Sequence, residues 1–201
     1  MDDKNKTITG GSEQFTQMLS LGITLQHGKY RIDHYLGCGG FGNTYLATNT
    51  VLECPVVVKE FFIRGITIRD EDGNTVNVSV ADNVPMWEKM VEKFKREARH
   101  MFKINHPNIV RVHDFFEENN TAYYVMDVVD GKSLYDRLHT SGTIGEQELR
   151  ERILPQVLAA LERIHSERLW HLDLKPANLM QDADGHVKLI DFGASNQSEG
   201  V

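Results

Sequence analysis

The sequence predicts an α+β fold, with a sheet-rich first part and a helical second part. Short runs of β-branched and aromatic residues occupy most of the chain up to residue 128. One stretch within that part, from residue 87, instead has apolar residues at the three- and four-residue spacing of a helix. A second helical stretch begins near residue 146. Strands followed by helices, without regular alternation, are typical of α+β proteins.

Composition limits the classes of protein to which the chain can belong. It has 201 residues, of which 40% are hydrophobic and 25% charged, an ordinary balance for a soluble globular protein. The net charge of −7 argues against the basic face of a general nucleic-acid binder, so we expect no nucleic-acid partner. No apolar run can cross a bilayer, and the N-terminus lacks the apolar core of a signal peptide. We therefore expect a cytoplasmic protein.

The first part of the chain resolves into an extension, a set of strands and one helix. Residues 1–28 are polar and mixed, so we expect an extension that is either a loose helix or a disordered tail. Strands are predicted at 30–36, 44–48 and 56–63, with a further hairpin joining 66–68 to 76–78. The helix starts near residue 87 and ends before His106-Pro107. Strands at 109–116 and 122–128 follow.

The second part is predicted to be helical and then to break into short strands and loops. Leu149, Ile153, Val157 and Leu161 recur at helical spacing. Pro155 lies inside this pattern and is expected to start or kink the helix there, because proline cannot continue the backbone hydrogen bonding. The apolar face of this helix is expected to remain exposed.

A glycine-rich segment separates the first two predicted strands, with glycines at positions 37, 39 and 42. Such spacing alone fits either a hairpin turn or a phosphate-binding loop. In a dinucleotide-binding fold the loop would open a helix. Here Thr44-Tyr45-Leu46 reads as a strand, so the loop joins two antiparallel strands and can lay its backbone N–H groups over a phosphate chain.

Lys59 stands in the apolar third strand, where a buried ammonium requires a partner. One interpretation is an edge strand with Lys59 in water. The other is that Lys59 holds phosphates and is paired with a carboxylate. Glu97 is the natural partner because it lies on the predicted helix, flanked by Phe94 and Ala98, although a single glutamate is by default a solvent-facing residue.

The segment from His171 to Asn178 concentrates groups suited to phosphoryl transfer, although it also fits a polar surface loop. Asp173 can orient a hydroxyl and accept its proton, and Lys175 can stabilise negative charge. Asn178 offers a hard oxygen to Mg²⁺, and Asp191, at the end of a short apolar strand, offers a second.

Taken in this order, these segments resemble the signature set of the protein kinases. His106-Pro107-Asn108 also resembles the segment that precedes the family's fourth strand. The lysine two residues after Asp173, Lys175, resembles the pattern of the Ser/Thr kinases and not that of the Tyr kinases. The resemblance implies ATP-dependent phosphoryl transfer to Ser or Thr of a protein substrate, with ATP and Mg²⁺. It implies that four residues act in catalysis: Asp173, Lys175, Lys59 and Glu97. It implies Asn178 and Asp191 as metal ligands.

The resemblance also implies a nucleotide site. Adenine would lie between Leu36 and Val57 above and Met180 below, and the backbone of Asp127 and Val129 would bond its edge. The implied nucleotide contacts are Leu36, Gly37, Cys38, Gly39, Gly40, Phe41, Gly42, Thr44, Val57, Lys59, Met126, Asp127, Val129 and Met180. Met126 would be the gatekeeper, and Met101, Val112, His171 and Phe192 would form a stack coupling the helix to the site.

The sequence departs from the family pattern in several places. Leu172 replaces the arginine that normally pairs with a phosphorylated activation loop, so control by loop phosphorylation is not expected. The 64–85 stretch is long for its position, and the sequence assigns it no role. After Asp191-Phe192-Gly193 only residues 194–201 follow, without an Ala-Pro-Glu segment.

We therefore expect a partial kinase domain at 29–201, truncated after the Asp-Phe-Gly motif. It would have an N-lobe at 29–129 and a partial C-lobe at 130–201. One alternative is a nucleotide-binding regulatory or interaction module without catalysis. Another is a small-molecule kinase of similar fold, although Phe41 in the glycine loop and His106-Pro107-Asn108 favour a protein substrate.

Overall fold

The first lobe is built on one antiparallel sheet. The computed structural model describes residues 17–39 and 42–192, and the backbone of 196–197. The strands lie in the order β1-β2-β3-β4-β8-β7. Their bounds are β1 Thr24–Leu25, β2 Tyr30–Gly39, β3 Gly42–Asn49, β4 Cys54–Phe61, β7 Val112–Glu118 and β8 Thr121–Met126. The predicted strands are thus confirmed, and β2 and β3 continue to the edge of the glycine-rich segment.

The central strand β4 is buried on both faces because apolar groups cover both sides of the sheet. Successive side chains point to opposite faces of a strand. Val57 accordingly belongs to an inner core cluster, whereas Val56 and Val58 belong to an outer one. A strand covered on both sides reads as a continuous apolar run, which explains the valines before Lys59.

One long helix covers the inner face. Helix α1 spans Val84–Lys103, with Pro85 in its first turn, where its missing N–H breaks no helical hydrogen bond. Its buried positions are Val91, Phe94, Glu97, Ala98 and Met101. Phe94 stacks on Tyr124 of β8 with ring centroids 5.0 Å apart, so the predicted apolar face is the one that packs on the sheet.

The outer face is covered by the N-terminal segment and by a hairpin. The hairpin strands are β5 Thr67–Arg69 and β6 Val76–Val78, as predicted. Residues 17–28 pack beside it, with Leu19 and Leu25 at 0% and 1% exposure. The expectation of a loose helix or a disordered tail is therefore wrong for residues 17–28, because these leucines fill the outer core. Residues 1–16 lie outside the described residues.

The second lobe combines short helices with small sheets. The helices are α2 Leu134–Ser141, α3 Glu146–Glu148 and α4 Leu154–Ser166, with a π-helical segment at Leu149–Ile153. The strands are β9 Gly131–Ser133, β10 Leu169–Trp170, β11 Leu179–Asp182, β12 Val187–Leu189 and β13 Asn196–Gln197. Pro155 lies in the first turn of α4, directly after the π-helical segment that interrupts the regular α-helix, so the prediction that the helix starts or kinks at this proline is confirmed.

Apolar side chains remain exposed along these helices, as expected, with Leu154 41% and Leu158 61% exposed. The two lobes are joined by backbone hydrogen bonds from Val110 to Leu189 and from Leu189 to Asn108, at 3.0 and 2.8 Å. Among the described residues, no helix is both long and apolar enough to span a membrane.

Leu19→Ala tests whether the N-terminal segment is part of the folded lobe. Because Leu19 is fully buried, we expect the free energy of unfolding in urea to fall by about 2–5 kcal/mol. Leu21→Ala is the matched control, since Leu21 is 51% exposed, and should change stability by less than about 0.5 kcal/mol. Equal effects of the two substitutions would contradict the folded segment.

Candidate active site

The glycine-rich segment leaves β2 and returns along β3 close against β4. A Cβ built on Gly42 would lie 2.5 Å from the carbonyl oxygen of Glu60, so only glycine allows this approach of the two strands. Gly37 and Gly39 have nothing within 4 Å of such a Cβ. Gly40 and Phe41, two of the expected nucleotide contacts, lie outside the described residues, as does Gly193.

Lys59 lies on the inner face of β4 and is only 7% exposed. Its ammonium forms an ion pair with the Asp191 carboxylate and lies 5.7 Å from the centre of the Tyr124 ring. Burial lowers the pKa of Lys59, but the ion pair with Asp191 opposes this effect, and the pKa is raised overall. Lys59 is therefore charged, and the edge-strand interpretation is wrong.

The predicted pairing of Lys59 with Glu97 is wrong in this structure. Glu97 is 5% exposed, and its Oε1 has no hydrogen-bond partner among the described residues. Burial raises the pKa of Glu97 to about 8, against the opposing pull of Lys59. One ammonium lies near two carboxyl groups. The Asp191 side chain is 45% exposed and forms the ion pair with Lys59, whereas burial favours the protonated form of Glu97.

The loop after β10 brings Asp173, Lys175 and Asn178 together. Lys175 Nζ donates to Asp173 Oδ2 at 2.7 Å, and Asn178 Nδ2 donates to the same oxygen at 3.1 Å and to the Asp173 carbonyl at 2.9 Å. These bonds, the one from Lys175 first, lower the pKa of Asp173, which is therefore ionised at neutral pH. The three residues thus form one hydrogen-bonded unit around a carboxylate.

A backbone hydrogen bond places Asn178 close to Asp191, and these are the two residues that the sequence predicts as metal ligands. The Ile190 N–H donates to the Asn178 carbonyl at 2.9 Å, which holds Asp191 next to the loop. Both hydrogen bonds from the Asn178 amide nitrogen run to Asp173, so its Oδ1 is not needed to hold this loop. An amide oxygen and a carboxylate are ligands that Mg²⁺ accepts, so the donor set fits this metal.

His171 and Phe192 form the buried base on which this loop packs. Their rings meet edge to face with centroids 4.8 Å apart, and both residues are buried. Burial lowers the pKa of His171. Nδ1 accepts from the Asp173 N–H and Nε2 faces the Ile190 carbonyl, both at 3.3 Å, which suits a neutral ring protonated on Nε2. Met101 and Val112 join Phe192 in the same core cluster.

The expected adenine contacts lie where β4 and β8 pair. Val57 is opposite Met126, and both are 8% exposed. Leu36 is 54% exposed, while Asp127 and Val129 are intermediate. The Asp127 N–H already donates to the Arg111 carbonyl at 3.0 Å, so only the Asp127 carbonyl remains to bond a base edge. Cys38 is exposed, and Thr44 lies opposite Lys59.

Comparison with known proteins identifies protein kinases as similar to this chain. Residues 30–200 match the family model described as protein kinase domain. CBL-interacting protein kinase 9 of Oryza sativa subsp. japonica is 34% identical over 173 residues, 86% of this chain and 33% of that protein. Serine/threonine-protein kinase PrkC of Bacillus subtilis (strain 168) is 31% identical over 83% of this chain and 22% of its own length.

A solved structure shares the fold. The structure titled PpkA-294 apo form superposes with a TM-score of 0.81 at 28% identity, covering 88% of this chain and 62% of that one. The chain spans about a third or less of the length of the two curated relatives.

Glu97→Gln tests the protonation of the buried carboxyl. Because its folded pKa of about 8 exceeds the ordinary value of 4.5, the folded chain binds this proton more tightly than the unfolded chain. The resulting stability is therefore lost as pH rises through about 8. Between pH 5 and pH 9 the unfolding free energy of wild type should therefore fall relative to that of the variant by on the order of 4 kcal/mol.

The control is Glu88→Gln at an exposed glutamate on the same helix, which should change stability by less than about 0.5 kcal/mol at each pH. Denaturant unfolding at several pH values measures both. A pH-independent difference for Glu97→Gln would mean that Glu97 is ionised in the folded chain and is therefore paired.

Proposed function

Because this chain belongs to the protein kinase domain family, which it matches over residues 30–200, we propose that it transfers the γ-phosphoryl group of ATP to a Ser or Thr hydroxyl of a protein. The observation that carries the proposal is the hydrogen-bonded unit of Asp173, Lys175 and Asn178. It lies beside the Lys59–Asp191 pair. Phosphoryl transfer needs these groups: a carboxylate for the hydroxyl, cations for the phosphates and hard oxygens for Mg²⁺.

The nucleotide would enter between the glycine loop and β11. Leu36 and Val57 would cover one face of the adenine and Met180 the other. The Asp127 carbonyl would accept from the base, and Val129 N–H would donate to it. Lys59 would hold the nearer phosphates, and Mg²⁺, held by Asn178 and Asp191, would neutralise charge on the phosphate oxygens.

Asp173 would act on the acceptor. As an ionised carboxylate, it can accept a hydrogen bond from the substrate hydroxyl and orient its oxygen towards the γ-phosphorus. The new bond forms between that oxygen and phosphorus while the bond to the bridging oxygen of ADP breaks. The hydroxyl proton passes to Asp173. Lys175, fixed 2.7 Å from Asp173, supplies positive charge beside the transferred group.

Catalysis would require Lys59 to exchange partners. Its ammonium contacts Asp191, which the metal also needs. If Asp191 bound the metal, the buried Glu97 would be the remaining carboxyl group near Lys59, and pairing would favour its ionised form. The neutral Glu97 and the Lys59–Asp191 pair therefore describe a resting arrangement in this proposal.

That same arrangement favours the second candidate, a nucleotide-binding module without turnover. If Lys59 does not leave Asp191, the chain can bind nucleotide and still lack the assembled catalytic groups. The two candidates predict different outcomes when binding and transfer are measured on the same sample.

Asp173→Asn separates binding from transfer. The substitution keeps the shape of the side chain but removes the proton acceptor. We expect transfer of labelled γ-phosphate to a generic protein substrate to fall by about 10²–10⁴. The affinity for Mg²⁺·ATP, measured by calorimetry, should change by less than about threefold, since Asp173 is not a predicted nucleotide contact.

Asp184→Asn serves as the control, because Asp184 is an exposed aspartate of the same lobe on the β11–β12 hairpin. It should leave transfer unchanged. Equal incorporation by wild type and Asp173→Asn would contradict the role of Asp173. Binding without any transfer by wild type would select the second candidate.

A further inference from the structure

A fully buried ionic cluster lies on the outer face of the sheet, away from the site described above. Glu60 is 0% exposed, and its side chain and that of Arg69 are 0% and 2% exposed. Arg69 Nη2 donates to Glu60 Oε2 at 2.7 Å. The Tyr45 hydroxyl and the Asn43 amide donate to the same oxygen at 2.7 and 3.0 Å. The Tyr123 hydroxyl donates to Glu60 Oε1 at 3.1 Å.

Arg69 connects this cluster to two segments outside the sheet. It belongs to β5 of the hairpin, and its Nη1 donates to the Asn74 carbonyl at 2.7 Å. Its Nη2 also donates to the Gln17 carbonyl at 3.1 Å, and the Asn43 amide donates to that carbonyl at 3.0 Å. The hairpin and the N-terminal segment are thus attached to β3 and β4 at one point.

Such a cluster contributes little net stability to the fold. Removing two charges from water costs several kcal/mol, and a buried ion pair often does no better than apolar residues of similar size. Its hydrogen bonds are short and directional, however, so it fixes the relative positions of the groups that it joins. Burial and the nearby Glu60 charge both raise the pKa of Tyr45 and Tyr123, so the hydroxyls stay protonated donors.

The cluster lies directly behind the phosphate-binding elements. Glu60 follows Lys59 on β4, and strand alternation places the two side chains on opposite faces. Asn43 follows Gly42 on β3 and is the register partner of Glu60, while Thr44 is the partner of Lys59. The Glu60 carbonyl is also the atom that Gly42 approaches. Any shift of Glu60 therefore moves the glycine loop and Lys59 together.

We propose that the 64–85 insertion is a positioning element for phosphate binding, which acts through Arg69 on Glu60 and Asn43 to hold the glycine-loop strand and Lys59 in register. This inference rests on the proposed nucleotide function. Arg69 and Glu60 touch no nucleotide in this account, so they are positioning residues and not catalytic ones. The hairpin, to which the sequence assigns no role, thereby gains one.

The test compares a ligand that has phosphates with one that lacks them. Arg69→Met keeps much of the side-chain length and removes the charge. Calorimetry on the 201-residue chain measures affinity for adenosine and for the Mg²⁺ complex of the β,γ-imido analogue of ATP. We expect the analogue to bind about tenfold or more weaker, whereas adenosine affinity changes by less than about twofold. Arg69→Lys should restore part of the loss.

Two further variants keep the result interpretable. Asn43→Ala leaves the Arg69–Glu60 pair and the Tyr45 hydrogen bond in place and removes the hydrogen bond between Glu60 and the residue next to Gly42, so it should show the same selective loss even if Arg69→Met does not fold. Val58→Ala is the matched destabilising control. Val58 is fully buried on the same face of the same strand, and its substitution should lower the melting temperature without changing the ratio of the two affinities.

The outcomes separate this inference from the function on which it rests. If wild type fails to bind the ATP analogue, the proposed function is wrong and this inference falls with it. If wild type binds but the foldable variants lose both ligands equally, or neither, only the positioning role is overturned. A selective loss in Val58→Ala equal to that in Arg69→Met would also overturn it.

Discussion

The buried positive charge of Lys59 constrains much of the surrounding structure. Lys59 lies on the central strand β4 and is only 7% exposed. An ammonium at that depth needs an anionic partner, and Asp191 supplies it from the second lobe. Glu97 of helix α1 lies close enough to act on the pKa of Lys59, but its own burial favours the protonated form. One charge therefore connects the sheet to the loop after β12, with a second carboxyl group nearby.

The strand that carries Lys59 is constrained from its other side as well. Glu60 projects to the outer face and is held by Arg69, Asn43 and two tyrosines. β4 thus carries the Lys59–Asp191 ion pair on its inner face and the Glu60–Arg69 pair on its outer face. The outer pair is fully enclosed, whereas Asp191 is partly exposed. The inner pair is therefore open to water on the Asp191 side, and the outer pair is not.

The sequence predicted the strands, helix α1 and the loop around Asp173, because periodicity and short-range motifs determine them. It did not predict the partner of Lys59, which depends on the relative burial of Asp191 and Glu97, a property of the folded molecule. It also missed the packing of Leu19 and Leu25, since so short a segment has no period to read. A signal for the outer cluster was present: a glutamate next to Lys59 in an apolar strand needs its own buried cation, and Arg69 is the one that the hairpin supplies.

If the groups around Lys59 and Asp173 bind Mg²⁺·ATP as proposed, the nucleotide should stabilise the folded 201-residue chain against thermal denaturation. A ligand that binds only the folded state at about 100 times its dissociation constant adds about 2.7 kcal/mol of stability. For a chain of this size that corresponds to a rise of several degrees in melting temperature. We expect this rise with Mg²⁺·ATP in wild type and its loss in Lys59→Met. An unchanged melting temperature of wild type at saturating Mg²⁺·ATP would mean that this site does not bind the nucleotide.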